Sequence, residues 1–546
     1  MSTLPAWLEA LPDAQTMREV DRWAIEDRGV ASLELMERAG AGVVRALERL
    51  APDGPVTVVC GKGNNGGDGL VVARLLRESG RPVTVVCAAA PAELSGDARA
   101  NLERLPGEPP VQLNGAPWTA DARDTAAERP GGGGAAPAGL EEVLGAQAVL
   151  VDALLGTGFA GEPRGTVARA IEALNGASAP VVSVDVPSGV DASSGVVRGV
   201  AVRATATITF HAAKPGLWIR PGKAHAGAVH TLDIGIPRGA PAPASIGLIT
   251  PAVLALLPRR DASSTKFVSG HVLVAGGSRG LTGAPRMAAE ASMRAGAGYV
   301  TACVPASLQD ILAGVGLPEM MTRGLPDEDG ALTPEGVSAV TDASARGGAL
   351  ALGPGLGRSE TAFAFARALA REAQVPMVLD ADGLNAHAGR LEELARRAAP
   401  TVLTPHAGEL GRLLECDSAE IERERLRHVR AAAERANAVV VLKGDDTLIC
   451  ALDGTVAVSP GASPALATAG TGDVLTGVIA AVLAQGLDAF TAAAAGVWLH
   501  AQAGREAARR VGASEGVIAS DVIAALPASR RRVVFDGQVS GEGEDG

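Results

Sequence analysis

Oxygen-bearing side chains recur directly after apolar segments in the first half of the sequence. They are Asn65 and Asp68 in GKGNNGGDG, Asp152 after AVLV, and Asp185 and Ser188 in VVSVDVPSG. If these apolar segments are parallel strands, their carboxyl ends meet at one edge of a sheet and the polar groups share a cleft. Such an all-oxygen set suits a hard cation (K⁺, Na⁺, Mg²⁺ or Ca²⁺) and suits zinc or copper poorly.

Two glycine-rich loops in this half offer backbone amides to an anion. The first, residues 61–69, joins a predicted strand to a predicted amphipathic helix, LVVARLLRES. Amides at a helix start favour phosphate, whereas the Asp68 carboxylate repels it and fits a hydroxyl, an amide or a cation better. The second loop, GTGFAGE at 156–162, adds further amides. A single acidic residue in such a loop is more commonly a cap or turn residue; the repetition after several strands favours a site.

Asp473 is the strongest catalytic candidate of the second half. It follows Gly470, Thr471 and Gly472 at the start of a predicted apolar helix, DVLTGVIAAVLAQG. Free amides there can stabilise a phosphoryl group in transfer, and the carboxylate can accept a proton from an attacking hydroxyl. The alternative is an acid that stabilises the helix through its dipole alone. The loops GGSRGLTGAP, GPGLG, TPHAGEL and LKGDD, all after predicted strands, favour the catalytic interpretation.

These loops must be positioned by strands and helices, and composition indicates which kind. The chain has 546 residues, of which 47% are hydrophobic and only 2% aromatic. Small aliphatic residues must therefore fill the cores, as in parallel sheets packed between helices. Apolar strand segments alternate with helical segments in both halves, which predicts two doubly wound α/β domains. A chain of this length needs more than one core.

A proline-rich stretch at 236–267 separates the two halves. We place the domain boundary near residue 246, which gives domains at 1–245 and 246–535, with a short helix predicted at 251–257. An acidic, glycine-rich tail at 536–546 is predicted to be disordered. The glycine-rich insertion at 130–139 is predicted to be disordered as well and to leave the site untouched.

Charge and segment composition restrict the partners. A net charge of −12 argues against a nucleic-acid surface. The longest apolar run is broken by glycine and too short for a membrane span, and no basic-start signal segment precedes Arg18. Scattered cysteines indicate neither a disulfide framework nor a zinc site. We expect a cytoplasmic enzyme, and its alanine-rich helices make a homo-oligomer our expectation.

The motifs of the first half resemble the YjeF N-terminal domain, the family of NAD(P)H-hydrate epimerases. GKGNNGGDG, VDALLGTG, SVDVPSG and FHAAKPGL occur in the family's order, over roughly residues 10–240. The resemblance implies a Rossmann-like domain that interconverts the R and S forms of hydrated NAD(P)H and binds K⁺ through Asn65, Asp152 and Ser188. The implied substrate contacts are Asn64, Asn65, Gly66, Gly67, Asp68, Gly156, Thr157, Gly158, Phe159, Ala160, Gly161, Glu162 and Asp185. Asp185 is also our candidate for the epimerase acid or base.

The motifs of the second half resemble the YjeF C-terminal domain, the ribokinase-like NAD(P)H-hydrate dehydratase, over roughly residues 262–530. They are GGSRGLTGAP, GPGLG, LDADGLN, LTPHAGEL, LKGDDTLI and GTGDVLTG. The resemblance implies that Asp473 is the general base. The implied contacts to the hydrate are Ala284, Gly355, His406 and Asp473. The implied contacts to ADP or AMP are Lys443, Gly444, Asp445, Asp446, Thr447 and Gly472.

The resemblance also implies how the two activities cooperate on NADHX and NADPHX. Hydroxide leaves C6 of the hydrated ring poorly, whereas phosphate leaves readily once the hydroxyl is phosphorylated. The implied donor is ADP in bacterial members, giving AMP and phosphate, and ATP in eukaryotic ones; we expect Mg²⁺ with either nucleotide. The dehydratase is implied to accept the S form, so the epimerase would supply it from the R form.

Two alternatives remain open from the sequence. The second half would be a vitamin-precursor kinase if its phosphorylated product accumulated without elimination. The first half would be a non-catalytic nucleotide-binding module if loss of Asn65 or Asp152 left conversion of the R hydrate unchanged.

Overall fold

The computed structural model describes residues 4–113, 144, 147–240 and 243–539, with side chains up to residue 530. The insertion at 130–139 and residues 540–546 of the predicted tail lie outside the described residues. Two compact units are present: Ala10–Ala244 in one, and Leu4–Glu9 together with the chain from Ser245 in the other. The predicted division at 245/246 differs from these units at the amino terminus, because strand β1 (Leu8–Ala10) joins the second sheet.

The first unit contains a sheet of seven parallel strands flanked by helices. Its strands are β2 Val56–Cys60, β3 Val83–Cys87, β4 Val111–Gln112, β5 Val149–Ala153, β6 Val181–Val184, β7 Ala206–Phe210 and β8 Ala228–Leu232. Its helices include α1 Ala14–Arg22, α2 Ser32–Leu50, α3 Asn64–Glu78, α4 Gly96–Glu103, α5 Gly165–Gly176 and α6 Lys223–Ala226. A π-helical turn, Trp23–Asp27, follows α1.

The strand order of this sheet is β4-β3-β2-β5-β6-β7-β8. The chain runs outward in one direction from β2 and in the other from β5, and these two strands end side by side, with Cys60 opposite Ala153. Such a switch point leaves a crevice at the carboxyl ends of the strands, where ligands bind in open α/β sheets. The loops that carry the predicted polar residues begin here.

Both faces of this sheet are buried, as its continuous apolar strands require. Along β2, Val58 belongs to the core on one face and Val59 to the core on the other. In α3, Val71, Val72 and Leu76 are buried, so the predicted apolar face of this helix is confirmed.

The second unit contains a sheet of eleven strands. Its strands after β1 are β9 Ile246–Ile249, β10 His271–Ala275, β11 Tyr299–Pro305, β12 Met321–Leu325, β15 Ala349–Leu352, β16 Met377–Leu379, β17 Thr401–Leu403, β18 Val439–Leu442, β19 Leu448–Cys450 and β20 Val456–Val458. A separate small hairpin pairs β13 Asp327–Glu328 with β14 Ala331–Leu332. The strand order of the eleven-stranded sheet is β1-β9-β20-β19-β18-β17-β16-β15-β10-β11-β12, with a second switch point between β10 and β15.

Helices flank this sheet as well. They include α7 Gly283–Arg294, α8 Gln309–Val315, α9 Val337–Ser344, α10 Glu360–Glu372, α11 Ala381–Asn385, α12 Ala407–Leu414, α13 Ser418–Arg423, α14 Arg425–Ala436, α15 Thr471–Ala484, α16 Ala489–Val511 and α17 Ala519–Val539. The predicted short helix at 251–257 is a 3₁₀ helix, Pro251–Leu256. Residues 536–539, predicted to belong to the disordered tail, continue α17. In the part of the chain described here, no helix is long and apolar enough to span a membrane.

The prediction of two doubly wound α/β domains is confirmed, and every apolar segment predicted as a strand overlaps an observed one. The sequence pattern did not predict the other strands, which are β1, β4, β8, β9, β12, β13, β14, β19 and β20. Several of these are short or lie at a sheet edge, and β8 is largely exposed, so they lack the continuous apolar pattern of a central strand.

Candidate functional site

The first candidate site is a cavity of about 820 Å³ at the switch point of the seven-stranded sheet. The loops after β2 and β5 line it, together with residues of α1 and α2. The predicted residues in its wall are Asn64, Asn65, Asp68, Gly156, Thr157, Gly158, Phe159 and Asp185. The predicted residues outside the described wall are Gly66, Gly67, Ala160, Gly161 and Glu162.

Glycines allow the loops after β2 and β5 to approach each other closely. A Cβ on Gly61 would lie 1.9 Å from the carbonyl oxygen of Leu154, and one on Gly66 would lie 2.0 Å from that of Gly61. Helix α3 begins directly after Gly63, which provides no side-chain cap. The amides of its first turn therefore remain available to an anionic ligand.

The structure brings the three predicted cation ligands together around the backbone of Leu155. Asp152 is fully buried and accepts hydrogen bonds from Ser188 Oγ at 2.6 Å, Ser188 N at 2.9 Å and Ser183 Oγ at 2.8 Å. Leu155 N donates to Ser188 Oγ at 2.8 Å, and Asn65 Nδ2 donates to Leu155 O at 2.9 Å.

The other amide atom of Asn65 fits a cation. Its Oδ1 is buried and receives no hydrogen bond within the described chain, and such an unsatisfied oxygen is costly. Burial raises the pKa of Asp152, and the hydrogen bonds from Ser188 offset this only in part. A cation near these oxygens would satisfy Asn65 and favour the charged form of Asp152. Amide, hydroxyl and carboxylate oxygens are the ligands that hard cations prefer.

A buried ion pair forms the opposite part of the wall. Lys214 is 1% exposed, and its Nζ donates to Asp185 Oδ1 at 2.7 Å, Thr209 Oγ1 at 2.8 Å and Phe210 O at 3.0 Å. Asp185, which adopts a φ of 65°, also accepts hydrogen bonds from the backbone and hydroxyl of Thr157. Burial would raise the pKa of Asp185, but Lys214 and Thr157 together hold it below its ordinary value. Asp185 is therefore charged at neutral pH.

Asp68 differs from Asp185 although both line the same cavity. It is 9% exposed, and no donor within the described residues bonds its carboxylate. Burial raises its pKa well above the ordinary value, and the charges of Asp185 and Asp21 raise it further, while Lys214 opposes them. The cavity wall thus includes Asp185, which stays charged, and Asp68, whose neutral form is favoured; burial raises the pKa of Asp21 in the same wall as well.

The second candidate site lies at the carboxyl ends of β10, β15, β16, β17 and β18. The loops after β10 and β15 touch, since a Cβ on Gly355 would lie 3.0 Å from Ala284 Cβ. Ser278 Oγ donates to Gly355 O at 2.9 Å and fixes this contact. The loop also lies on the end of β16, because a Cβ on Gly353 would lie 2.0 Å from Asp380 O.

Helix α15 presents its uncapped start to this site. Gly470 precedes it with a φ of 88°, a conformation that favours glycine, and no side chain caps the helix. A Cβ on Gly472 would lie 3.7 Å from Lys443 Nζ and 4.0 Å from Asp380 Oδ2, so the first turn faces this ion pair. Asp473 follows in the same turn, as predicted.

Lys443 is the centre of the charge network. Its Nζ lies 2.9 Å from Asp380 Oδ1 and 3.6 Å from Glu409 Oε2. Thr476 Oγ1 donates to the other carboxylate oxygen of Asp380 at 2.7 Å. Although burial opposes charge on Asp380, Lys443 and Thr476 hold the pKa of Asp380 below its ordinary value.

The pKa of Asp473 moves in the opposite direction. Burial raises the pKa of Asp473 to about 7, with a further contribution from the charge of Asp380 and partial opposition from Lys443. A carboxylate with a pKa near neutrality matches the requirement for a general base. Asp473 can therefore accept a proton from a bound hydroxyl and release it readily.

His406 reaches the network through Glu409. Its Nδ1 caps α12 by accepting from Gly408 N at 3.0 Å and Glu409 N at 3.3 Å, and its Nε2 lies 3.5 Å from Glu409 Oε1. Burial, aided by the positive charge of Lys443, lowers the pKa of His406 despite the attraction of Glu409. The half-exposed ring is thus a neutral group at neutral pH, next to the ion pair of Lys443.

The buried side chain of Arg425 supports the predicted nucleotide-binding segment after β18. Arg425 is 1% exposed, and its guanidinium donates to Asp446 Oδ2 at 3.0 Å and to Lys443 O at 3.1 Å. Thr447 Oγ1 donates to Gly444 O at 2.7 Å, which closes the turn. Because Asp446 is fully buried, its side chain supports the turn from inside and leaves ligand contact to the backbone and to Lys443.

The sequence analysis assigned no role to several residues of these sites. They are Asp21 and Lys214 in the first, and Asp380, Glu409 and Thr476 in the second. Lys214, Asp380 and Glu409 lie in FHAAKPGL, LDADGLN and TPHAGEL, each just after an apolar strand, so their position was a usable signal. Asp21 lies in a helix, where the sequence offered no comparable signal.

Comparison with known proteins gives matches to both halves. A family model described as YjeF-related protein N-terminus matches residues 32–216, and one described as NAD(P)H-hydrate dehydratase matches residues 272–528. The bifunctional NAD(P)H-hydrate repair enzyme Nnr of Moorella thermoacetica is 40% identical over 95% of this chain and 96% of its own length. The protein of the same name from Salinibacter ruber is 42% identical over 94% of this chain and 95% of its own length.

Among solved structures, the ADP/ATP-dependent NAD(P)H-hydrate dehydratase from Bacillus subtilis, co-crystallized with ATP/Mg²⁺, is 30% identical. The match covers 52% of this chain and 98% of that chain, with a TM-score of 0.46.

Proposed function

This chain belongs to the family of bifunctional NAD(P)H-hydrate repair enzymes, and we propose that its two sites act in succession on NADHX and NADPHX. It carries an epimerase domain and a dehydratase domain. The first site exchanges the R and S epimers of the hydrate. The second dehydrates the S epimer to NAD(P)H at the expense of ADP, with AMP and phosphate as products.

The observation that supports the dehydratase assignment most directly is the pKa of Asp473, about 7, in the first turn of α15. Asp473 accepts the proton of the C6 hydroxyl while this oxygen attacks the terminal phosphoryl group. The free amides from Gly470 to Gly472 stabilise the charge that develops on the phosphoryl oxygens. Electrons of the ring nitrogen then expel phosphate from C6, and loss of a proton restores the reduced nicotinamide.

The nucleotide lies along the turn that Arg425 supports. We assign its contacts to Lys443, the backbone of residues 444–447 and Gly472, and those of the hydrate to Ala284, Gly355, His406 and Asp473. Lys443 already carries its charge beside Asp380, so it can meet a phosphate without a change in protonation.

We further propose Mg²⁺ together with ADP or ATP. The ion is usually held by one or two carboxylates plus substrate phosphates, and Asp380 is a suitable donor. Within the described residues, no cluster of three or more His, Cys, Asp or Glu side chains could hold a metal. Bound Mg²⁺ supplies positive charge against the phosphates.

In the first site, we propose that Asn65, Asp152 and Ser188 hold K⁺. The unsatisfied Oδ1 of Asn65 supports this assignment. Bound K⁺ supplies a positive charge beside the loops, which anchors the anionic end of the hydrate. The amides of Asn64 to Asp68 and of residues 156–162 bind the pyrophosphate. Asp185 contacts the nicotinamide and ribose end.

The test supplies separated R and S hydrates, with ADP and in parallel with ATP, to the full chain and to Asp473→Ala. We expect the parent protein to convert both epimers to NAD(P)H, with release of phosphate. Asp473→Ala should lose dehydration and keep epimer exchange. Accumulation of a phosphorylated product would instead identify an alcohol kinase, and loss of both activities together would contradict two independent sites.

Cytoplasmic location and a homo-oligomeric state remain proposals that rest on composition. Analytical ultracentrifugation of the full chain tests the second, and a monomer at micromolar concentration would contradict it.

A further inference from the structure

Asp68 is a buried carboxyl group without a partner inside the first cavity. Its exposed fraction is 9%, and it lines the cavity wall from the second turn of α3. No hydrogen bond or ion pair reaches its side chain from the described residues. Asp152 and Asp185, which belong to the same site, each accept several hydrogen bonds. Since burying an unpaired carboxylate is costly, its retention in a ligand cavity points to a chemical role.

The charges that face Asp68 also favour its neutral form. Three are carboxylates: Asp21 from α1, Asp97 from α4 and Asp185 after β6. Among the charged groups that shift the pKa of Asp68, Lys214 is the one that lowers it. The three hydrogen bonds of Lys214 already go to Asp185, Thr209 and Phe210. Asp68 is therefore left with repulsion from neighbouring carboxylates and with little attraction to offset it.

The remaining charged residues of the wall do not change this balance. They are Arg18, Lys62, Glu93 and Arg164. Of these, Lys62 pairs with Glu93 at 3.9 Å and Arg164 pairs with Glu162 at 3.6 Å, both at exposed positions where solvent screens the charges.

We propose that Asp68 is the proton-transferring residue of the epimerase, and that the Asp185–Lys214 ion pair positions the hydrated ring against it. This inference rests on the epimerase function proposed above and assigns the acid that this function requires. Asp185, our candidate from the sequence, is charged and engaged with Lys214 and Thr157, which suits binding and orientation better than donation of a proton.

The chemistry requires a group that can give one proton and take another. C6 of the hydrate carries the hydroxyl and is bonded to N1, so its configuration can invert only if a bond to C6 breaks. The Asp68 acid gives its proton to N1 while its carbonyl oxygen takes the hydroxyl proton. The C6–N1 bond breaks, its electron pair goes to N1, and the hydroxyl electrons form the carbonyl bond of an aldehyde at C6.

Ring closure reverses these transfers. After rotation about the C5–C6 bond, N1 adds to the opposite face of the aldehyde, the oxygen recovers a proton from Asp68, and N1 returns its proton to the carboxylate. The neutral acid is restored, and no oxidant, reductant or co-reactant is consumed. A carboxyl group that is neutral at rest performs both transfers, whereas a carboxylate held by a lysine lacks the proton for the first.

The experiment measures epimer exchange by Asp68→Asn in the full chain. Purified S hydrate is incubated without ADP or ATP, so that dehydration is off, and formation of the R hydrate is followed by chromatography. We expect kcat for exchange to fall by about 100-fold or more. The dissociation constant of the hydrate should stay within about threefold, because the amide keeps the shape of the acid.

Asp53→Asn is the matched control, since it removes an exposed carboxylate of the same unit that does not line the cavity. It should change exchange by no more than about twofold. Asp68→Glu keeps a carboxylic acid, and its exchange rate should be about tenfold higher than that of Asp68→Asn. Dehydration of the S hydrate with ADP or ATP, measured on each sample, reports that the chain is folded.

The outcomes separate this inference from the function on which it rests. If the parent protein does not exchange the epimers, the epimerase assignment itself is contradicted. Suppose instead that the parent exchanges the epimers. If the exchange rate of Asp68→Asn is then within about tenfold of the parent's rate, or equals the rate of Asp68→Glu, only the role of Asp68 is overturned. If Asp68→Asn fails to fold, the pH profile of the parent decides: exchange must fall as Asp68 ionises, and a rise with pH would overturn the proposal.

Discussion

Each unit contains a lysine–aspartate pair beside a second aspartate, which lies early in a helix after a glycine-rich loop. In the first unit the pair is Lys214–Asp185 and the second aspartate is Asp68. In the second unit the pair is Lys443–Asp380 and the second aspartate is Asp473. In both, the paired aspartate has a lowered pKa and the other aspartate a raised one.

The two sites differ in the surroundings of the second aspartate. The pKa of Asp473 reaches about 7, so this carboxyl group exchanges protons near neutrality. Asp68 is more deeply buried, and its pKa lies well above the ordinary value. Lys214 is 1% exposed and gives its three hydrogen bonds to other groups, while the Lys443 side chain is 22% exposed beside Gly472. We therefore propose that similar residue types provide a base in one site and an acid in the other.

The largest expected effect separates the two sites by activity. Asp473→Ala removes the base of the second site, and dehydration of the S hydrate should fall by about 10³-fold or more. Epimer exchange by the same variant should stay within about twofold, because Asp473 belongs to the second unit alone. Phosphate release and chromatography of the epimers measure the two rates on one sample. Loss of dehydration and epimer exchange together would contradict the claim that the two sites are independent.

The next effect compares the two lysines. Lys214→Met leaves Asp185 buried without its cation and should lower the free energy of unfolding of the first unit by about 3–5 kcal/mol. Lys443→Met should cost less, about 1–3 kcal/mol, because its side chain is more exposed. Urea denaturation with probes in each unit measures both. Equal losses would show that burial does not distinguish the two pairs.

A smaller effect tests the protonation of each second aspartate through stability. Because the folded pKa of Asp473 is raised, the neutral acid is favoured in the folded state, and its contribution is lost as the pH rises through about 7. Asp473→Asn should therefore be more stable than the parent by about 1–2 kcal/mol above this pH, with the difference vanishing below the unfolded pKa. Asp68→Asn should likewise be more stable than the parent at high pH, where the buried Asp68 carboxyl group would ionise. Thermal melts across pH measure both; a loss of stability at high pH would contradict the raised pKa values.

The smallest effect concerns the K⁺ that we propose for the first site. At equal ionic strength, KCl should raise the melting temperature of the first unit above that in LiCl by about 2–4 °C, as expected for a ligand that binds only the folded state. Asn65→Ala should abolish this difference. If the parent melts alike in both salts, the oxygen cluster around Leu155 does not bind K⁺.

Much of the scaffold followed from sequence pattern. Continuous apolar segments such as VTVVC and VVVL predict buried parallel strands, and the strands are found there. The loops with Asn65 and Asp473 are recognisable because glycines directly before a predicted helix leave backbone amides at its start available to an anion. Short edge strands such as β4, with two residues, carry too little pattern to be recognised.

The protonation states could not be predicted in this way. The charge on Asp185 depends on Lys214, which is 29 residues away and reaches it only in the fold. Likewise, Asp380 and Lys443 are 63 residues apart. The sequence places Asp68 in a loop like any other acid; only the folded cavity shows that no partner approaches it from the described chain. Depth of burial and long-range pairing decide whether a carboxyl group is a neutral acid or a charged base, and both arise only in the folded chain.

The most direct test of this account is a pair of pH–rate profiles from the same parent protein, one for dehydration of the S hydrate and one for epimer exchange. Dehydration should rise with pH through about 7 as Asp473 ionises, whereas exchange should be fastest where Asp68 is neutral and should fall as the pH rises. If both rates rise together through a common midpoint near 7, the two sites do not hold their protons differently, and the central claim is wrong.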